Sequence, residues 1–201
     1  MTGVEPDGLQ SGTDADPHAW ARSWLPTDED PARPLMTLAT HGVDGFPAAR
    51  TLLLSAVSAD GFRFHTDARS AKATELAADD RVALVIALPE VARQLVVQGR
   101  AVRESDADAA AAFARRSAYL RHLAWINDAE HASLSAEARR EAWSAAVGEV
   151  PEGRVDPPIS WAGYEVVPHR YLFWEGGPDL ASRRTEFVRS GAGWAVAHLP
   201  G

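Results

Sequence analysis

Hydrophobic and polar residues alternate along much of the chain, which is the pattern of strands with one buried face. The alternation predicts strands over 35–40, 47–55, 61–66, 81–88, 93–102, 163–167, 170–174, 185–189 and 193–198. Short segments rich in Gly, Asp and Pro separate most of these strands and predict turns. Strands at this spacing, joined by short turns, favour an antiparallel barrel over parallel βαβ units.

Other segments have a helical pattern. Helices are predicted over 18–25, where Trp20 and Trp24 form an apolar face, and over 70–77, 105–124 and 135–147. The fold class is therefore α+β, an antiparallel barrel with flanking helices. Residues 1–17, rich in Gly, Asp and Pro, predict a disordered tail, and residues 18–201 a single domain.

Composition narrows the range of functions. The chain has 20 basic and 28 acidic residues, a net charge of −8, which argues against a general nucleic-acid binder. It has no cysteine, which excludes a disulfide framework, a thiolate nucleophile and a Cys-ligated zinc. No apolar run approaches the roughly 20 residues of a membrane span, and no signal-peptide core begins the chain. We therefore expect a soluble cytoplasmic protein without a membrane partner.

Most catalytic motifs are missing from the sequence. The seven histidines show neither HxH nor HExxH spacing, so no metal site is predicted. There is no GxSxG elbow, no P-loop and no GxGxxG turn. What remains is a set of cationic, hydroxyl and amide side chains on the predicted strands and at one helix start.

Three groups in this set could bind a ligand. Ser70 and Lys72, the only lysine of the chain, open a helix and could hold a phosphate, although a capped helix with a solvated lysine would have the same sequence. Gln94 could meet the polar edge of a heterocycle or belong to a polar pair at a strand edge. Trp174 and Arg184 could meet a ligand or be a core indole and a solvated cation.

In this order along the chain, these segments resemble the pyridoxamine 5′-phosphate oxidase family of FMN-dependent flavoproteins with a split β-barrel. The resemblance runs from about Pro34 to the C-terminus. Its motifs are 50–54 (RTLLL), 61–66 (GFRFHT), 70–76 (SAKATEL), 89–100 (PEVARQLVVQGR), 161–164 (WAGY), 173–177 (FWEGG) and 193–200 (GWAVAHLP).

The resemblance implies an FMN site at the interface of a homodimer, completed by strands from residues 160–201 of the second subunit. The implied cofactor contacts are Arg50, Thr51, Leu52, His65, Thr66, Ser70, Lys72, Gln94, Trp174 and Arg184. Of these, Trp174 and Arg184 come from the second subunit. Two positions depart from the family pattern, with Ala71 in place of an arginine and Ala129 in place of a glutamine.

The substrate side departs further from the family. The positions implied to contact substrate are Ser55, Arg116, Leu180 and Ser182, and only Arg116 keeps the family's residue. Ser55 stands where the family has a lysine, and the oxidases of phenazine biosynthesis also have a serine at this position. Leu180 and Ser182 replace an arginine and a histidine. A dianionic phosphate would be poorly held here. The resemblance therefore implies a changed substrate.

The sequence thus predicts an FMN-dependent oxidoreductase that transfers a hydride from a small cyclic substrate, in secondary metabolism, to the flavin, with O₂ as acceptor. No catalytic residue is assigned. One alternative is a pyridoxamine or pyridoxine 5′-phosphate oxidase with altered substrate contacts. Others are a non-catalytic flavin or haem binder, with His65 or His169 as the haem ligand, and a structural dimer without cofactor.

Overall fold

The computed structural model describes residues 16–27, 33–149 and 156–201. Its nine strands are β1 (Leu35–His41), β2 (Pro47–Leu53), β3 (Ala56–Val57), β4 (Phe62–Asp67), β5 (Arg81–Leu88), β6 (Arg93–Arg103), β7 (Trp161–Glu175), β8 (Arg183–Ser190) and β9 (Gly193–Pro200). The helices of this part of the chain are α1 (Pro17–Trp24), α2 (Ala71–Ala78), α3 (Asp106–Ala114), α4 (Ala118–Ile126), α5 (Ala129–Ser133) and α6 (Ala136–Glu149), with a 3₁₀ helix at Pro89–Val91.

All strand pairs are antiparallel, and β7 organises the sheet. The strand order is β2-β1-β5-β6-β7-β4-β3, and β8 and β9 extend from β7 as a hairpin. The long β7 pairs with β6 along its length, with β4 through its first half and with β8 through its second half. The sheet therefore curls and divides at β7, which confirms the predicted α+β fold, an antiparallel barrel with flanking helices.

The barrel is filled by alternate side chains of its strands. Phe62 and Phe64 of β4 and Leu84 and Ile86 of β5 are fully buried, as period-two alternation requires. Helix α1 covers one side, where Trp20 stacks on Phe173 with ring centroids 3.9 Å apart. The predicted packing of the two indoles by a short N-terminal helix is thus confirmed.

The prediction of one continuous helix over 105–124 is wrong. The structure has two helices, α3 and α4, because Ser117 has an extended backbone (φ −59°, ψ 154°) and caps α4 by accepting a hydrogen bond from the Leu120 amide. A short helix, α5, follows that was not predicted. Asp128 caps it by accepting from the His131 amide at 3.0 Å.

The two strands predicted over 163–167 and 170–174 are one strand, β7. Pro168 lies where the β6–β7 register shifts between Gln98 and Gly99, and a bulge tolerates a residue without an N–H. A Cβ on Gly99 would lie 2.1 Å from the Val167 carbonyl oxygen, so the bulge requires glycine there.

The predicted boundary between tail and domain is also displaced. Residues 1–15 of the predicted disordered tail lie outside the described residues. Pro17, however, already belongs to α1, because Asp16 caps this helix by accepting from the His18 amide at 2.9 Å. None of the helices in the described ranges is long and apolar enough to cross a membrane.

Candidate functional site

A cavity of about 300 Å³ lies between the barrel and helix α4. Strands β2 and β4, the start of α2, helix α4 and the segment before β7 form its walls. Its lining residues are Thr51, Leu52, Leu53, His65, Thr66, Asp67, Ser70, Lys72, Arg116, Leu120, Leu123, Ala124, Asn127, Pro158, Ser160 and Trp161. Seven of the residues predicted to contact cofactor or substrate are therefore brought together here.

The hydroxyl and ammonium groups of the predicted phosphate seat lie together in this cavity. Lys72 Nζ donates to Thr66 Oγ1 at 3.0 Å, and Ser70 Oγ lies 3.4 Å from the same oxygen. Ser70 precedes α2 but its side chain makes no capping hydrogen bond, so its hydroxyl stays available. Burial lowers the pKa of the Lys72 ammonium, and the charge of Arg50 lowers it further. No carboxylate of the described residues forms an ion pair with Lys72, so an anion would relieve both effects.

Arg50 is not in the cavity wall. Its guanidinium donates to Glu75 Oε2 and to Thr40 Oγ1, each at 2.5 Å, in a largely buried cluster. Arg69, next to the predicted seat, donates to both carboxylate oxygens of Asp67 and is exposed. Arg50 therefore contributes positive charge near Lys72 but does not line the cavity where a ligand would bind.

A second, isolated cation lines the same cavity. Arg116 donates to Ser55 Oγ at 3.3 Å, and its guanidinium carbon lies 4.6 Å from the centre of the Trp161 ring. Burial lowers the pKa of Arg116 to about 10, and no described carboxylate pairs with it. Leu120 and Trp161 give this part of the cavity apolar walls. Such a guanidinium can bind an anionic group of a flat ligand.

His65 is a buried link between the cavity and a carboxylate. Its Nδ1 lies 3.0 Å from Ser55 Oγ, its Nε2 lies 3.1 Å from Glu104 Oε2, and its ring stacks on Trp161. Sequence reasoning missed Glu104, which follows β6 and resembles any other acidic residue in the linear sequence. The nearby Gly163 could have signalled a close approach. Both nitrogens of His65 already face protein atoms, which disfavours His65, though not His169, as a haem ligand.

The remaining predicted residues lie elsewhere in the single chain. Gln94, Trp174 and Arg184 are cross-strand neighbours on β6, β7 and β8. Arg184 is exposed and donates to the Pro200 carbonyl oxygen at 3.2 Å. Leu180, 71% exposed, and Ser182 lie between β7 and β8. None of these five lines the cavity, so one chain provides the phosphate end of the predicted site and not its other side.

No group of three or more His, Asp or Glu side chains in the described ranges is placed to hold a metal ion. The fold and the cavity instead define a class of protein, a split antiparallel barrel with a cationic cavity against its flanking helices. The chain belongs to the pyridoxamine 5′-phosphate oxidase family, an oxidoreductase family, whose model matches residues 28–153.

Known proteins similar to the chain include two curated relatives and two solved structures. The "Pyridoxine/pyridoxamine 5'-phosphate oxidase" of Thermosynechococcus vestitus is 39% identical over 95% of this chain and 92% of its own length. The protein of that name from Anaeromyxobacter dehalogenans is 39% identical over 81% and 82%.

Both structural similarities support the fold. PhzG from Burkholderia lata, in complex with tetrahydrophenazine-1-carboxylic acid, has a TM-score of 0.78 at 22% identity, covering 97% of this chain and 98% of that one. A pyridoxamine 5′-phosphate oxidase-related, FMN-binding protein from Nostoc punctiforme has a TM-score of 0.68 at 21% identity, over 84% and 88%.

Proposed function

We propose that the protein is an FMN-dependent oxidase whose cavity holds the phosphate of FMN. The observation that carries this proposal is the half-buried Lys72 ammonium, which donates to the Thr66 hydroxyl and has no carboxylate partner among the described residues. Ser70 and the N-terminus of α2 add donors for the same anion. A dianionic phosphate would form the direct ion pair that Lys72 lacks among the described residues, where Asp67 and Glu75 raise its pKa only through longer-range charge.

The chain's residues fit the remainder of FMN. Thr51 and Leu52 of β2 and His65 of β4 line the cavity beside the phosphate seat and would contact the rest of the cofactor. The bound flavin would supply the hydride acceptor, with O₂ as the final oxidant. The protein would position a substrate C–H bond and exclude water.

The far side of the site would come from a second copy of the chain. Gln94, Trp174 and Arg184 form one row across three strands but do not line the cavity of their own chain. A two-fold arrangement would place Trp174 and Arg184 of each subunit over the cavity of the other. The active species is then a homodimer with two equivalent sites.

The substrate we propose is a small cyclic compound with one anionic group. Arg116 is the cation that faces Ser55, while Leu120 and Trp161 provide apolar walls suited to a flat ring. Leu180 and Ser182, in the connection between β7 and β8, would contact a substrate bound in the site at the dimer interface. The cyclic carboxylic acid in the PhzG complex belongs to this chemical class. A role in secondary metabolism fits such a substrate.

A second candidate is oxidation of pyridoxine or pyridoxamine 5′-phosphate. It is favoured by the 39% identity to a relative of that name over 95% of the chain. Against it, a substrate phosphate would meet one guanidinium, from Arg116, together with the hydroxyl of Ser55 and the apolar side chain of Leu120.

Turnover of the FMN-loaded protein separates the two candidates. Three compounds are compared by O₂ consumption, namely pyridoxine 5′-phosphate, pyridoxine without phosphate, and a dihydro-aromatic carboxylic acid. We expect the highest kcat/KM with the carboxylic acid and little gain from the phosphate of pyridoxine 5′-phosphate. A strong preference for pyridoxine 5′-phosphate would establish the second candidate instead.

A further inference from the structure

Three side chains form a continuous polar path beside the cavity, and the middle one, His65, lines it. Ser55 Oγ lies 3.0 Å from His65 Nδ1, and His65 Nε2 lies 3.1 Å from Glu104 Oε2. The His65 and Glu104 side chains are only 2% and 6% exposed. An imidazole between a hydroxyl and a carboxylate is an arrangement that can accept and return a proton.

The hydrogen bond from Arg116 leaves the Ser55 proton available to His65. A guanidinium can only donate, so Ser55 Oγ accepts from Arg116 at 3.3 Å. The Ser55 hydroxyl can then donate its own proton to His65 Nδ1. In that arrangement the neutral ring carries its proton on Nε2, the nitrogen next to Glu104.

The carboxylate is held near the ring without a normal hydrogen bond. Neither Glu104 oxygen nor His65 Nε2 has a well-aligned hydrogen-bond partner among the described residues, although Glu104 Oε1 lies 3.3 Å from Arg63 Nε. A Cβ on Gly163 would lie 2.0 Å from Glu104 Oε2, so glycine provides the space for this approach. A buried carboxylate with unused acceptor capacity is costly to fold, and a charged imidazole beside it would offset that cost.

Arg63 is the cation next to Glu104, at the end of the path opposite Ser55. Burial opposes its charged form, but the hydrogen bond to Glu165 and the charges of Glu165 and Glu104 hold the Arg63 pKa above its usual range. The charged groups around His65 are therefore Glu104 and Arg63 on one side, and Arg116, Lys72 and Asp67 along the cavity.

We infer that Ser55, His65 and Glu104 form a proton relay for the proposed oxidase, and this inference rests on the proposed function. When a dihydro-aromatic carboxylic acid is oxidised to its aromatic product, one ring C–H bond would break and its electron pair would leave as a hydride to a bound flavin. The proton lost from the neighbouring ring atom would pass to Ser55 Oγ while the Ser55 proton passes to His65 Nδ1. The products would be the aromatic acid and an imidazolium, whose charge Glu104 would balance. Ser55 touches the substrate, and His65 and Glu104 are positioning residues.

Two reductants separate proton transfer from hydride transfer. A dihydro-aromatic carboxylic acid must lose a hydride and a proton, whereas N-benzyl-1,4-dihydronicotinamide loses a hydride alone. Anaerobic mixing with FMN-loaded protein gives the rate at which each reductant bleaches the visible flavin absorption. The measured quantity is the rate with the dihydro-aromatic acid divided by the rate with the dihydronicotinamide, a ratio that is unaffected by a general loss of active protein.

Glu104→Gln is the test variant and Glu165→Gln is its matched control. Both remove a carboxylate beside Arg63, but Glu165 has no contact with His65. We expect Glu104→Gln to lower the ratio about a hundredfold and Glu165→Gln to leave it unchanged. An unchanged ratio in Glu104→Gln would overturn the relay while leaving the oxidase in place. Failure of both reductants with the wild-type protein would overturn the proposed function and the relay with it.

Nitrogen NMR of histidine-labelled protein tests the relay without turnover, with His65→Asn used to assign the signal. We expect the neutral form of the His65 ring to carry its proton on Nε2. A ring protonated on Nδ1 would overturn the relay, because that nitrogen could not accept the Ser55 proton. If the wild-type protein oxidises the dihydronicotinamide but not the other reductant, the rate ratio cannot be formed. The protonated nitrogen of His65 then decides whether the relay exists.

Discussion

Lys72 is the residue on which the proposed flavin site depends. It is the only lysine in a chain whose other basic residues are all arginine. Its ammonium is compact, half-buried and held by the Thr66 hydroxyl, so it can act as a point charge against a phosphate in a narrow space. Arg50, the other cation predicted for this role, is already bound to Glu75 and Thr40.

Replacing Lys72 should therefore weaken FMN binding more than removing any surface charge. We expect Lys72→Gln to raise the Kd for FMN roughly 10- to 100-fold, because a charged hydrogen bond contributes about 1.5–3 kcal/mol. Lys72→Arg should recover part of the loss. Fluorescence titration measures the Kd, and Arg100→Gln, which removes a charge paired with Asp80, is the control. Equal effects of Lys72→Gln and Arg100→Gln would contradict the assignment.

Arg116 should favour ligand binding at the expense of stability. Burial lowers its pKa to about 10, below that of the unfolded chain, so the charged form disfavours folding at every pH below about 10. We expect Arg116→Met to stabilise the empty protein by about 1 kcal/mol at neutral pH. This difference in the free energy of unfolding between variant and wild type should decrease above pH 10, where the Arg116 guanidinium of the folded wild type can lose its proton.

Urea unfolding across this pH range measures the effect of Arg116→Met. The same variant should lose affinity for anionic substrates. If Arg116→Met is less stable than the wild type, or if its stability relative to the wild type increases with pH, Arg116 is a packing residue and not an uncompensated charge.

At the scale of elements, β7 joins the barrel to the site. It carries Trp161 at the cavity, Gly163 against Glu104, and Trp174 in the row with Gln94 and Arg184. Most strands were predictable from alternation, because one face of each is buried. The continuity of β7 was not, since a bulge that accommodates Pro168 depends on its partner strand β6.

Gly163 offers an element-scale test of how tightly β7 packs on the relay. We expect Gly163→Ala to destabilise the fold by at least about 2 kcal/mol, as overpacking does, because its Cβ would overlap Glu104 Oε2. Gly193→Ala, where a Cβ would meet open space, is the control. The Glu104→Ala background should recover most of the stability lost in Gly163→Ala. Urea unfolding of the four variants measures this coupling, and additive effects would contradict the packing.

The candidate site divides in the same way between what sequence patterns reveal and what they do not. Thr66, Ser70 and Lys72 could be predicted because they are close in sequence and share one strand–helix junction. Glu104 could not, because it meets His65 only through the pairing of β4, β7 and β6. The ion pair of Arg50 with Glu75 likewise depends on α2 packing against the barrel.

At the scale of the whole molecule, the proposal requires two chains for each site. Lys72→Gln and Arg184→Ala should each bind FMN weakly as homodimers, since each lacks one side of both sites. After subunit exchange, heterodimers would have one intact site, so about a quarter of all sites should recover wild-type affinity. Flavin bound per chain, measured by absorption, gives this fraction. No recovery in a mixture that has exchanged subunits would contradict the shared site.

Recognition of the FMN phosphate by the Lys72 cavity can be tested by titrating flavin-free protein with FMN and, separately, with riboflavin, which has the same ring system without the phosphate. We expect FMN to bind about a hundredfold more tightly than riboflavin, and Lys72→Gln to remove most of this difference. Equal affinities for the two flavins, or no binding of either, would show that the cavity does not recognise the FMN phosphate.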